Sequence, residues 1–118
     1  MQLAHEADSE IEGALTVRLG GALEINGAAK VWKMASEQAG DDARFFLFDL
    51  SNVNIVTSAG IGVLVRLLVR LQGFGGAIAI YGCNDKIREV FSVVQLAEIL
   101  QVCDTEKEAR RKLKSAGS

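Results

Sequence analysis

The chain has 118 residues, of which 49% are hydrophobic and 24% charged, the proportions of one ordinary globular domain. A chain of this size buries enough core to dispense with metal or disulfide staples. Thirteen Lys and Arg against fifteen Asp and Glu leave a formal charge of −2, which gives no general attraction to nucleic acid or an acidic membrane.

Residue inventory narrows the chemistry further. The single histidine, His5, argues against a His-rich metal site or an anchored Ser-His-Asp triad. Cys83 and Cys103 form no C-x-x-C pair and are too few for a secreted disulfide scaffold. Neither a metal nor a cofactor is expected. The opening Met1-Gln2-Leu3-Ala4-His5-Glu6 is acidic, unlike a signal peptide, and the apolar run Ala59 to Val65 is cut by Arg66 and Arg70. The expectation is a cytoplasmic chain, not embedded in a membrane.

With no proline in the chain, glycines punctuate it. Leu15, Val17 and Leu19 alternate with Thr16 and Arg18, the period-2 pattern of a half-buried strand over Ala14 to Leu19, ended by Gly20-Gly21. Glu12-Gly13 before it suits a hairpin turn from an earlier strand within Leu3 to Ile11. From Asn26 to Gln38 the spacing of Ala28, Val31, Trp32 and Ala35 predicts a helix, with Asn26 as N-cap and Gly40 as stop. The run Phe45-Phe46-Leu47-Phe48 suits a central strand covered on both faces. A loop, Ser51 to Ser58, then leads into a helix over Ala59 to Gln72, closed by Gly73, Gly75 and Gly76.

Ala77 to Tyr81 reads as a second buried strand. Asn84 opens a helix with Ile87, Val90, Phe91 and Val94 on one face, and Ile99 to Val102 suits a short strand. Thr105-x-x-Glu108 is a capping box for the last helix, whose acids come first and bases last, as the helix dipole favours. The sum is an α/β fold: one domain with a mixed sheet of four to five strands and about four helices. Its core covers about residues 10–114, with a flexible tail at 115–118.

In such sheets functional loops lie beyond the carboxyl ends of the strands, which is where Ser51 to Ser58 falls. It places two hydroxyls, Thr57 and Ser58, at a helix start. Capping is the bland account of them. The chemical account is a phosphoacceptor, because a helix N-terminus favours negative charge. No histidine or lysine nearby in sequence offers a base, so an enzymatic nucleophile is disfavoured. Asp49 suits acceptance of hydrogen bonds from loop N–H groups, and Arg66 and Arg70 suit a solvated helix face. Trp32, Cys83 and Cys103 read as core, and Gly73-Phe74-Gly75-Gly76 reads as helix termination, since it follows a helix where a P-loop precedes one.

At this loop the chain resembles the STAS domain family, whose type members are bacterial anti-sigma-factor antagonists. The resemblance rests on Asp49-Leu50-Ser51, then Val53 and Ile55-Val56, then Thr57-Ser58-Ala59-Gly60-Ile61-Gly62. It extends to Arg18 through Glu24, to Gly76 through Tyr81, to Lys86 through Leu96 and to Asp104 through Ala109. The family role implies an antagonist that binds an anti-sigma factor serine kinase and is switched off by phosphorylation, with a PP2C-type phosphatase restoring it. By match the acceptor is Ser58, with Thr57 as the alternative, since Thr57 and Glu24 both stand where the family usually has Asp. The partner surface so implied comprises Asn26, Asn54, Ile55, Val56, Thr57, Ser58, Ala59, Gly60 and Gly62. The alternative role is a STAS subunit of a lipid-transporting ABC system or a component of a stress-signalling scaffold, not phosphorylated; Val31-Trp32 and Gly82-Cys83-Asn84-Asp85-Lys86 look like that branch.

Overall fold

Alternating apolar residues give each central strand two covered faces. β2 (Ala14–Leu23) sends Leu15, Val17 and Leu19 to one side, and β3 (Phe45–Val56) sends Phe46, Phe48 and Leu50 the same way. Phe45 and Leu47 point to the other side with Ala79 and Tyr81 of β4 (Ala77–Tyr81). The structure, a computed structural model, describes residues 1–93 and 95–117. Its sheet has the order β1-β2-β3-β4, with β1 (Gln2–Ala7) antiparallel to β2 and the other pairs parallel. The expected hairpin, mixed sheet and four helices are all present.

Two helices form the parallel crossovers. α1 (Ile25–Gln38) links β2 to β3, and α2 (Ser58–Gln72) links β3 to β4. Both pack on the Phe46–Phe48 face, where those two rings stack with centroids 6.1 Å apart. Ile87 and Phe91 of α3 (Asp85–Val93) join that core, and the Asn84 side chain caps α3 by accepting from the Ile87 N–H at 2.9 Å. Val94, which the sequence assigns to the same face, lies outside the described residues, as does Ser118. α4 (Glu106–Ala116) covers the opposite face through Ala109 and Leu113, and Thr105 Oγ1 accepts from the Glu108 N–H at 3.1 Å. This helix takes in Ser115 and Ala116, the first half of the segment expected as tail.

Four boundaries differ from the sequence expectation. β2 continues through Gly20-Gly21 to Leu23, because Gly21 adopts φ +91° at a register shift where another residue would be strained. β3 continues to Val56, so most of the expected loop is strand. It carries an extra residue in two places: Asp49 to Asn52 runs beside Arg18 to Gly20, and Val53 to Ile55 beside Gly21 to Ala22. Asn26 is not the N-cap of α1. That place belongs to Glu24, whose carbonyl accepts from the Ala28 N–H at 2.7 Å. Ile99 to Val102 is no strand either, since the left-handed Gln101 (φ +51°) leaves one bridge, Val102 to Ile80.

Two side chains read as core also shift outward. Trp32 and Cys83 are half-buried, whereas Cys103 is buried as expected. Burial nonetheless pushes the Cys83 thiol up to about 11, which disfavours a reactive thiolate.

Candidate functional site

β3 outruns β4. The two pair only from Phe45 to Asp49, while β3 stays paired with β2 as far as Leu23 and Val56. The overhang ends in Thr57, whose N–H donates to the Leu23 carbonyl at 3.0 Å and whose carbonyl accepts from the Ile61 N–H at 3.0 Å. α2 therefore starts directly from the strand, beside the start of α1.

At the root of the overhang, Asp49 Oδ1 accepts from the Ser51 N–H at 2.9 Å and from Ser51 Oγ at 2.6 Å. Gly82, at φ +83°, lets β4 turn away against the Ser51 backbone, where a Cβ would collide. Asp49-Leu50-Ser51 thus shapes the bulge. Along β3, Asp49 shares the face of Phe45 and Leu47, the side covered by α4, while Ser58 opens the helix on the other side. Among the described residues no acid or base is hydrogen-bonded to Ser58.

The two hydroxyls are not equivalent. Thr57 is half-buried and its Oγ1 points inward, donating to the Leu23 carbonyl at 3.5 Å. Ser58 is exposed at the first position of α2, and its hydroxyl has no partner among the described residues. Neither side chain caps the helix, contrary to the capping expectation. No acid stands in the first turn of α2, and the apolar neighbourhood is open: Ile25 is 75% and Ile55 52% exposed.

The residues matched to a partner surface separate into two groups. Asn26, Asn54, Ile55, Ser58 and Gly62 are exposed around the overhang and the two helix starts, with Thr57 and Ala59 half-buried between them. Val56 and Gly60 face inward. Val56 closes the end of the sheet opposite Leu23, and a Cβ at Gly60 would lie 2.6 Å from the Leu23 carbonyl oxygen. Gly62, by contrast, has nothing within 4 Å of where its Cβ would be. Sequence reasoning missed Ile25. It lies in phase with Ala28 and Val31 and so mimics a core position, but the first turn of α1 lies beyond the sheet and leaves it uncovered.

The family model for the STAS domain matches residues 7–109. The chain belongs to the STAS domain family. A Thermotoga maritima protein provisionally named an anti-sigma factor antagonist is 32% identical over 65 residues, 55% of this chain and 58% of that one. The match thus spans little more than half of that relative. The anti-sigma-B factor antagonist of Staphylococcus aureus is 26% identical over 86 residues, 73% of this chain and 80% of its own. The solved structure of the anti-sigma factor antagonist SpoIIAA in its unphosphorylated form shares the STAS fold, with a TM-score of 0.77 at 17% identity over 95% of this chain and 97% of that one. No helix among the described residues is long and apolar enough to cross a membrane.

Proposed function

We propose that this STAS chain is an anti-sigma-factor antagonist that binds a serine-kinase anti-sigma factor through the overhang between β3 and α2, and that phosphorylation of Ser58 ends the interaction. The observation that carries the reading is the state of Ser58: an exposed hydroxyl, without a hydrogen-bond partner among the described residues, at the start of an uncapped helix, with Ile25 and Ile55 exposed at the same end of the sheet. The names of the relatives support the general role. In the switch, Ser58 Oγ attacks the γ-phosphorus of ATP, ADP leaves, and the hydroxyl proton passes to the kinase. The product carries nearly two negative charges where the partner packs, so association is opposed by desolvation and repulsion. A PP2C-type phosphatase hydrolyses the ester and restores binding.

Incubation with the serine-kinase anti-sigma factor of the same genome and ATP should add one phosphate, which peptide mass mapping should locate at Ser58. Modification at Thr57 alone, or none by an active kinase, removes the assignment. In titration calorimetry against the same kinase, Ser58→Ala should bind like the parent and Ser58→Asp should bind more weakly. Equal affinity for Ser58→Asp and the parent would transfer the reading to the subunit role in a lipid-transporting ABC system.

A further inference from the structure

α1 and α2 differ in charge from the rest of the chain. Together they hold four bases, Lys30, Lys33, Arg66 and Arg70, and one acid, Glu37, whereas the remaining residues hold nine bases and fourteen acids. α2 contains no acid at all. All four bases are exposed. Elsewhere Arg18, Arg88 and Arg110 are paired with Glu6, Asp104 and Asp8. Among the described residues none of the four bases on α1 and α2 has a carboxylate partner. Lys30 Nζ reaches only the Met1 carbonyl at 3.4 Å, and Arg70 Nη2 only the Ser36 carbonyl at 3.5 Å.

Arg66 is held in place without being neutralised. Its guanidinium carbon lies 3.9 Å from the centroid of the Trp32 ring, which fixes the group by cation–π attraction. The stack restrains a long side chain in advance and leaves the guanidinium N–H donors without an acceptor among the described residues. Val69, nearly one turn further along α2, is 63% exposed and supplies apolar area beside it. A planar, restrained fork of donors matches a carboxylate better than it matches a diffuse anionic surface. Apolar exposure limited to single side chains, with no continuous apolar stripe to insert, also disfavours a bilayer.

We propose that the outer face of α1 and α2 is a docking surface for a protein partner that presents an acidic segment, with Arg66, seated on Trp32, as its specificity-determining cation. This goes beyond the phosphorylation reading: Arg66 stands two turns from Ser58, and the surface acts whether or not Ser58 is modified.

The test is titration of the ¹⁵N-labelled full chain with a synthetic amphipathic helical peptide bearing glutamates along one face. Shifts should concentrate on Lys33, Arg66, Arg70 and the Trp32 indole, and affinity should fall about tenfold between about 50 and about 300 mM salt. Arg66→Glu with Arg70→Glu should abolish binding. Arg111→Glu with Lys114→Glu makes the same change of net charge on α4 and should preserve it. Arg66→Lys keeps the charge without the planar fork and should weaken binding severalfold, which reads the proposal even where the reversal disturbs folding. Absence of shifts, equal loss in both double variants, or capture of the chain by phosphatidylglycerol vesicles but not by the peptide would overturn it.

Discussion

Asp8 and Ser58 stand at two comparable places, where β1 gives way to the turn before β2 and where β3 gives way to α2. The Asp8 side chain is 2% exposed and accepts from Thr16 Oγ1 at 2.7 Å, from the Glu10 and Ile11 N–H groups at 3.0 and 2.9 Å, and from Arg110 Nη1 at 2.8 and 2.9 Å. Arg110 also holds Glu106 at 2.8 Å and Glu10 at 3.2 Å. Ser58 has no hydrogen-bond partner among the described residues. Polar groups that hold the fold are saturated by their own chain, and the polar group best suited to a partner is left open. Full satisfaction is the mark of structure, and an unsatisfied exposed group beside uncovered isoleucines is the mark of encounter.

Substitutions can break that contrast. The largest effect belongs to Asp8→Ala, which leaves Thr16, two backbone N–H groups and Arg110 without their shared acceptor. It should cost about 3 kcal/mol in urea unfolding, the lower end of what breaking a buried pair costs, because Arg110 keeps Glu106 and Glu10. The same carboxylate carries a pH signature. Burial alone would raise its pKa, but the hydrogen bonds from Thr16, Glu10 N–H, Arg110 and Ile11 N–H outweigh that and hold it below the usual value. The unfolded chain therefore binds the proton more readily. The contribution is present above about pH 4 and lost as pH falls through the lowered value. Asp8→Asn should remove that part of the acid dependence.

At the other region, two glycines two residues apart, and so on opposite sides of α2, should respond in opposite directions. Gly60→Ala drives a methyl into the Leu23 carbonyl and should destabilise by about 1–3 kcal/mol, the range for overpacking. Gly62→Ala meets open space and should stabilise α2 by up to about 1 kcal/mol, the glycine-to-alanine difference in helix propensity. The same change should weaken kinase binding in calorimetry, because the added methyl stands on the proposed partner face. The smallest effect is that of Ser58→Ala on the fold. With no cap bond to lose, its unfolding free energy should stay within about 0.5 kcal/mol of the parent.

What the sequence disclosed depended on which signal each segment carried. Phe45 to Phe48 and Ala77 to Tyr81 are unbroken apolar runs, α1 has helical spacing and α4 a capping box with ordered charges, so most element types and their order could be read directly, Ile99 to Val102 excepted. Boundaries failed where local chemistry and tertiary pairing disagreed. Gly20-Gly21 resembles a stop, yet pairing with β3 carries the strand through it. Ser51 to Val56 is polar enough for a loop, yet bulges let it remain strand along one edge. At the site, Thr57 and Ser58 were legible as a pair of hydroxyls at a helix start. Which one faces solvent was not, since that depends on the Leu23 carbonyl, thirty-four positions earlier in the chain.

The bond between Arg110 and Asp8 joins residues 102 positions apart. During synthesis it has no second partner until Arg110 has left the ribosome, long after β1 and β2 can pair. Until then the α4-facing sides of Phe45, Leu47 and Ala79 have no helix over them, and a nascent chain carries an apolar sheet face into the crowded cell. A stall before α4 emerges would thus yield a species with a formed sheet and one bare side, the kind of intermediate that chaperones retain.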